Sequence, residues 1–149
     1  MRLTTTLWLV LAAVVLAGCG HDAMHEGMAS MQEEIDGVRL ENARHEAVVQ
    51  AAVSLPEVMA ELAHHEQVMA GTMSHMDGAM SKMSHCSGAG MAPMMDVMKQ
   101  MRATMPTHRA ALEEAADLGS AQAEVRRHSG AVIEMMVMME RVLPDAGCM

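Results

Sequence analysis

The stretch VMAELAHHEQVMAGTMSHMDGAMSKM, residues 58–83, sets a pattern that runs through the whole chain. Its apolar residues and one histidine recur at alternating steps of three and four, which is the spacing of one face of an α-helix. These positions are Val58, Leu62, His65, Met69, Met73, Met76, Met80 and Met83. The stretch therefore predicts a long amphipathic helix whose buried face is built mainly from methionine.

The same spacing recurs in three more segments. The first carries Met28, Met31, Ile35, Val38, Asn42, His45, Val49 and Ala52. The other two carry Met94, Met98, Met101, Met105, His108, Leu112 and Ala115, then Ala121, Val125, His128, Val132, Met135, Met139 and Val142. No strand-like alternation competes with these stripes, and the connections are short. The sequence predicts an all-α protein, an up-down-up-down antiparallel four-helix bundle with a methionine-rich core.

Proline and glycine residues predict where these helices begin and end. Pro56 suits the first turn of the second helix, and Pro93 opens the third. Gly119 is expected to close the third helix. Pro106 lies inside the third stripe, where a missing N–H and a bulky ring predict a kink or a split at Met105.

The composition limits how the core is built and what the protein binds. The chain has 21 methionines, no phenylalanine or tyrosine, and a single tryptophan, Trp8. Thioethers pack as adaptable hydrophobes, so most of the methionines are expected in the core. Acidic residues outnumber basic ones by 19 to 10, which disfavours nucleic acid as a partner and favours cations.

The first 20 residues, MRLTTTLWLVLAAVVLAGCG, predict an export signal, because Arg2 precedes an apolar run too short to span a bilayer. The segment LAGC, residues 16–19, resembles the lipobox of bacterial lipoproteins. That resemblance implies cleavage before Cys19 and lipid attached to its sulfur, and Gly20 at the next position implies the outer membrane. We expect a signal peptide at 1–18, a lipidated tether at 19–30 and the bundle at 31–149, facing the periplasm. A plain signal anchor is the alternative.

Each helix contributes one histidine to its own stripe: His45, His65, His108 and His128. The first pair lies symmetrically about Leu55 and the second about Leu118, at the two turns that share one end of the bundle. Each histidine is ten residues from its turn, about 15 Å along the axis. The spacing therefore predicts that all four meet in one layer. An offset of 63 residues superimposes the two halves of the chain, which indicates a helical hairpin used twice.

A buried histidine layer needs partners. Burying four imidazoles without them costs about 1–3 kcal/mol each, whereas a metal ion would satisfy all four together. A hydrogen-bonded histidine cluster and a water-filled polar layer are the alternatives. Three of the histidines follow a glutamate by four residues, and the fourth follows a threonine: Glu41, Glu61, Glu124 and Thr104. We expect each to accept the second ring N–H of the histidine on its own helix, although solvated flank positions would explain the same residues.

Below the expected layer, the stripes place a second candidate metal site among the thioethers of Met73, Met76, Met80, Met94, Met98, Met101, Met135 and Met139. Imidazole binds copper in both oxidation states, and soft sulfur selects Cu(I), so the combination favours copper. Zinc would bind the four imidazoles, but thioethers are not among its usual ligands.

Two cysteines follow the lipobox, Cys86 and Cys148. In an oxidising envelope a disulfide between them is expected, which would tie the loop between helices two and three to the C-terminus. An exposed copper-loading site, formed with neighbouring histidines and methionines, is the alternative.

The segment HHEQVMAGTM, residues 64–73, resembles the paired-histidine helix of the Met/His-rich periplasmic copper-binding proteins of bacterial metal resistance. The resemblance implies copper sequestration, storage or transfer. Two other functions stay open: noncovalent haem binding between facing histidines, and a structural or interaction lipoprotein without metal. The sequence contains no readable nucleophile, base or substrate pocket, so a binding protein is favoured over an enzyme.

Overall fold

The computed structural model describes residues 4–83 and 89–146, with side chains described from residue 22 onward. Four helices make up these segments: α1 (Thr4–Ala51), α2 (Leu55–Met83), α3 (Met91–Glu113) and α4 (Leu118–Val142), followed by a 3₁₀ turn (Leu143–Ala146). The described residues contain no strand. Helix α1 packs against α2 and α4, and α3 packs against α4. The predicted all-α four-helix bundle is confirmed. None of the described helices is long and apolar enough to cross a membrane.

The connection between α3 and α4 is stabilised by an aspartate rather than by glycine. The Asp117 carboxylate accepts a hydrogen bond from the Ser120 backbone N–H at 2.7 Å, and the Asp117 N–H donates to Ser120 Oγ at 3.2 Å. This reciprocal capping box fixes the start of α4. The prediction that Gly119 closes α3 is wrong, since Gly119 lies in the first turn of α4. Pro56 lies in the first turn of α2, as predicted.

Helix α3 runs unbroken through Pro106, so the predicted split at Met105 does not occur. Pro106 is exposed, whereas Met105 before it and His108 after it are buried. Burial of the stripe on both sides of the proline therefore outweighs the backbone hydrogen bond that the ring removes.

The bundle has two separate hydrophobic clusters along its axis. The cluster near the two turns, here called the aliphatic cluster, consists of Val49, Val58, Leu62, Leu112, Ala121 and Val125. The larger cluster at the other end, here called the methionine cluster, contains twelve buried methionines: Met31, Met69, Met73, Met76, Met83, Met94, Met98, Met101, Met105, Met135, Met136 and Met139. The four stripe histidines lie between the positions that form these clusters.

The bundle begins earlier in the chain than the predicted boundary at residue 31. Residues 22–30 belong to α1, and Met24 is buried. A Cβ on Gly27 would lie 2.8 Å from Met83 Cγ, so the helices approach closely there. Met28 packs against the methionine cluster. The described part of the expected tether is therefore packed helix, because Met24 and Met28 extend the α1 stripe. The Cys19 side chain lies outside the described residues.

The far end of the bundle is tied together through a glycine. The Gly90 N–H donates to the Asp145 carbonyl oxygen at 3.0 Å, and a Cβ at residue 90 would lie 2.2 Å from the Val142 oxygen. The turn before α3 therefore docks directly on the C-terminal 3₁₀ turn. The predicted partners Cys86 and Cys148 lie outside the described residues.

Candidate metal centre

The four stripe histidines meet inside the bundle. The rings of His45, His65 and His108 are completely buried, and that of His128 is 2% exposed. His45 stacks on His65 with 4.0 Å between ring centroids, and His108 stacks on His128 with 3.9 Å. The rings therefore form the single layer that the spacing predicts, here called the histidine layer.

Each helical hairpin supplies one stack to the histidine layer. The planes within a stack are nearly parallel, 15° apart in the α1–α2 stack and 11° in the α3–α4 stack. Rings from different stacks are nearly perpendicular, with centroids 5.7 Å apart for His45 and His108 and 5.8 Å for His65 and His128. The two stacks are related by the 63-residue offset seen in the sequence.

Glutamates hold three of the rings, but the predicted pairing within each helix is wrong. Glu61 of α2 contacts Nδ1 of His45 at 3.1 Å, and Glu41 of α1 contacts Nδ1 of His65 at 3.0 Å. Every glutamate therefore reaches across to the neighbouring helix. The rings point into the helix interface, where the nearest carboxylate belongs to the facing helix.

The second hairpin follows the same rule at one of its two histidines. Glu124 of α4 contacts Nδ1 of His108 on α3 at 3.0 Å. Thr104, expected beside His108, instead donates its hydroxyl to the Met101 carbonyl oxygen of its own helix at 2.8 Å. The α3–α4 hairpin therefore has one carboxylate on its histidines where the α1–α2 hairpin has two.

An arginine that the sequence reasoning missed binds both glutamates of the first hairpin. Arg44 Nη2 lies 2.8 Å from Glu41 Oε1 and 2.6 Å from Glu61 Oε1. Burial opposes ionisation of these carboxyls, but the hydrogen bonds from Arg44 and from the histidines outweigh it and lower both pKa values. Both carboxylates are therefore ionised at neutral pH. The signal for Arg44 was present in the sequence, since it follows Glu41 by three residues.

Ionised carboxylates determine which ring nitrogen of their histidine carries hydrogen. Burial raises the pKa of Glu124, but hydrogen bonds from Arg127 and His108 outweigh it and lower that pKa, so Glu124 is ionised as well. A carboxylate only accepts, so Nδ1 of a neutral His45 or His108 must donate to Glu61 or Glu124, and its Nε2 keeps a bare lone pair. These two Nε2 atoms lie 3.4 Å apart. Facing lone pairs repel unless a cation lies between them. Two nitrogen ligands of a tetrahedral ion are about 3.3 Å apart at ordinary metal–nitrogen distances, so the pair has a suitable separation.

Other polar atoms near the histidine layer are buried without a hydrogen-bond partner in the described residues. They are His65 Nε2, His128 Nε2, Asn42 Oδ1 and Ser129 Oγ. Asn42 lies one helical turn from His45, and its amide Nδ2 donates to the Ser129 carbonyl oxygen at 3.2 Å. Buried polar groups are normally satisfied, so this concentration of unsatisfied atoms marks a place where a ligand would be stabilised. The stripe pattern of α4 did not identify Ser129, because residue 129 lies next to the stripe position of His128.

Burial is the largest cause of lowered pKa values in the four histidines. It lowers the pKa of His65 to about 4, with His45 adding to the effect. It lowers the pKa of His128 to about 2, with His108 and His65 adding to the effect. The pKa values of His45 and His108 are also below their ordinary range. All four rings are therefore neutral at pH 7, the state in which imidazole binds metals.

The predicted methionine site lies within the methionine cluster, with one residue less buried than expected. Seven of its members are buried: Met73, Met76, Met94, Met98, Met101, Met135 and Met139. Met80 is only partly buried and packs against the cluster. Met136 was missed, although it follows Val132 by four residues and is completely buried. Thioethers therefore fill the core below the histidine layer.

In the part of the chain that the structure describes, no group of three or more histidine, cysteine, aspartate or glutamate side chains is already arranged to hold a metal ion. Stacking accounts for this, because two parallel rings 4.0 Å apart present their nitrogens side by side instead of toward one point. An ion bound by more than two of these rings requires side-chain rotation within the layer. The chain matches no protein-family model, no curated protein and no solved structure. Its function is therefore inferred from the layer itself.

Proposed function

We propose that this protein binds copper in the histidine layer and the adjoining methionine cluster, and that it sequesters, stores or transfers the metal in the cell envelope. One contact carries the proposal: Nε2 of His45 and Nε2 of His108 are 3.4 Å apart, while Nδ1 of each ring contacts an ionised carboxylate, so that two nitrogen lone pairs face and repel each other. A cation converts this repulsion into two coordinate bonds. The metal is cargo in this proposal, and no catalytic step is assigned.

Copper is favoured over other metals by the ligands next to the layer. Met69 lies one helical turn after His65, and Met105 lies one turn before His108, so soft sulfur adjoins imidazole on two helices. Both methionine side chains are buried. Thioether and imidazole together suit Cu(I), and divalent copper also has the highest affinity for nitrogen ligands in the first-row series. Zinc would use the histidines alone.

The size of the methionine cluster supports storage or transfer of more than one ion. Its twelve buried thioethers exceed what one histidine-bound ion requires. The lipobox resemblance supports attachment through Cys19 to the outer membrane on its periplasmic side. The membrane and the metal ion are thus the two partners that we propose.

The packing of the layer disfavours the haem alternative. A porphyrin bound between His45 and His108 would need the space beside those rings. His65 and His128 occupy it, each stacked about 4 Å from its neighbour. Haem would therefore have to separate both stacks, whereas an ion requires only ring rotation.

The experiment is a copper competition titration of the purified protein, with His45, His65, His108 and His128 each replaced by asparagine. Asparagine keeps a polar group while removing the inward ring nitrogen. We expect each replacement to weaken copper binding, with His45→Asn and His108→Asn most severe. His64→Asn is the matched control, since His64 is an exposed neighbour of His65. Copper affinity and copper content that none of the four core replacements alters would refute the proposed histidine site.

Parallel titrations with Zn²⁺ and with haem separate the alternatives. We expect copper to bind more tightly than zinc, and haem to give no Soret band characteristic of a bound complex. A protein that binds neither metal, and whose thermal stability is unchanged by chelators, would instead fit a structural or interaction lipoprotein.

A further inference from the structure

The two hairpins differ on their outer faces. On the α1–α2 face, Arg44 bridges Glu41 and Glu61, and both carboxylates hold histidines of the layer. The 63-residue offset places Thr104 where the first hairpin has Glu41, and Thr107 where it has Arg44. Both threonine hydroxyls donate to carbonyl oxygens of their own helix, at 2.8 Å and 3.2 Å. In the described residues the second hairpin therefore has no arginine bridge between its two helices, and its Glu124 is paired instead with Arg127 of the same helix, at 2.7 Å.

A cleft lies where that bridge is missing. It has a volume of about 400 Å³ and is lined by residues of α3 and α4, including Thr104, Arg127, His128, Glu134, Met135 and Met138. His128 is the one member of the histidine layer among its lining residues. A second groove, on the α1–α2 face, is lined by Glu61 but by no histidine. The α3–α4 cleft therefore connects the solvent with the layer.

Soft ligands become progressively more buried along this cleft. Met138 is 39% exposed, Met135 is 4% exposed and His128 is 2% exposed. Met135 and His128 are seven residues apart on α4, two helical turns on the same face. The inward ring nitrogen of His128 is also buried without a hydrogen-bond partner. A cation that binds thioethers would therefore contact Met138 at the mouth of the cleft, Met135 in its wall and His128 at its base.

We propose that the α3–α4 cleft is the port through which Cu(I) passes between solvent and the histidine layer, with Met138 and Met135 as transient thioether ligands and His128 as the first imidazole. This inference rests on the proposed function. It adds to that function the path by which the ion enters and leaves the histidine layer. The steps are ligand exchanges, so the ion keeps its charge and no co-reactant is needed.

The test measures the rates of copper transfer separately from the affinity. Cu(I) held by a chromophoric chelator is mixed with the purified protein in a stopped-flow instrument, and release is followed with excess chelator. Ala131 lines the cleft, so Ala131→Leu narrows it. We expect uptake and release each to slow at least about tenfold with little change in affinity, because an obstructed path raises the barrier equally in both directions. Ala63→Leu, on the exposed face of α2, is the control.

A second variant tests the thioether step without filling the cleft. Met138→Leu removes the sulfur at nearly constant volume, and we expect slower uptake and release at unchanged affinity. Met95→Leu, at an exposed methionine of α3 outside the cleft, is its control. Circular dichroism establishes that each variant is folded, and Met138→Leu provides the test if Ala131→Leu is not. Rates equal to those of the controls would overturn the port while leaving copper binding intact. A wild-type protein that takes up no Cu(I) would overturn the proposed function as well.

Discussion

The aliphatic cluster and the methionine cluster are both parts of the hydrophobic core, but they are built from different side chains. Both fill the space between the same four helices, yet the first consists of valine, leucine and alanine, whereas the second contains twelve methionines. The concentration of thioethers on one side of the histidine layer is not explained by the core alone, because leucine packs as well and is more rigid.

Truncating a buried side chain in either cluster should lower the stability by a similar amount, but only truncation in the methionine cluster should lower copper binding. Leu62 and Met98 are almost completely buried on opposite sides of the layer. We expect Leu62→Ala and Met98→Ala each to lower the free energy of unfolding by about 2–5 kcal/mol, from lost burial and the cavity left behind. Only Met98→Ala should also lower the amount of copper bound. Denaturant unfolding and elemental analysis measure the two effects, and equal copper content in both variants would remove the functional distinction between the clusters.

The layer between the clusters depends on the charges that orient its rings. Arg44→Met leaves Glu41 and Glu61 partly buried without their arginine, and we expect a loss of about 1–3 kcal/mol in unfolding free energy. Arg126→Met is the control, because Arg126 is exposed and bonds only Gln50 in the described side chains. Urea unfolding of the metal-free proteins measures the difference. Equal stability of the two variants would mean that the bridge has no structural role.

The metal-free protein should become less stable as the pH falls below about 6.5. The unfolded chain then takes up protons on histidines whose folded-state pKa values are about 4 for His65 and about 2 for His128, while the folded protein does not. Below about 4.5, the lowered pKa values of Glu41, Glu61 and Glu124 act in the same direction. Thermal unfolding from pH 7.5 to pH 4 measures this. His65→Asn should flatten the slope, and an unchanged slope would contradict the buried neutral ring.

The smallest effect on stability is expected when two methionines of the methionine cluster are replaced by leucine, which separates their role in packing from their role in metal binding. Met98→Leu combined with Met139→Leu preserves volume and apolarity, so we expect a change below about 1.5 kcal/mol in unfolding free energy. The loss of two soft ligands should nevertheless reduce bound Cu(I). Copper content equal to that of the wild type would show that these thioethers serve only as packing.

The fold and the depth of the histidines could be predicted because both follow from helical periodicity. Stripes at steps of three and four determine which side chains are buried, and equal distances from two turns determine that four rings meet. The glutamate pairing could not be predicted in this way. Glu41 reaches His65 across the interface instead of His45 on its own helix, and that choice depends on where each ring points.

Other differences arise where tertiary packing outweighs local signals. Pro106 predicts a break in α3, but the buried residues on either side hold the helix together. Residues 22–30 are small and polar enough to suggest a tether, yet Met24 and Met28 continue the stripe and draw the segment onto the bundle. The cleft over His128 arises where Thr104 stands at the position that Glu41 has in the first hairpin. The 63-residue offset identifies this difference only once the structure shows that Arg44 bridges Glu41 and Glu61.

Nitrogen-15 NMR of histidine-labelled protein, recorded before and after addition of Cu(I), tests the central claim most directly. Without metal, we predict that Nδ1 of His45 and His108 carries hydrogen while Nε2 does not. On binding copper, the Nε2 resonances of the layer should shift while that of exposed His64 stays in place. Copper that binds without moving those Nε2 resonances, or a proton found between the two rings in the metal-free protein, would contradict an ion-binding histidine layer.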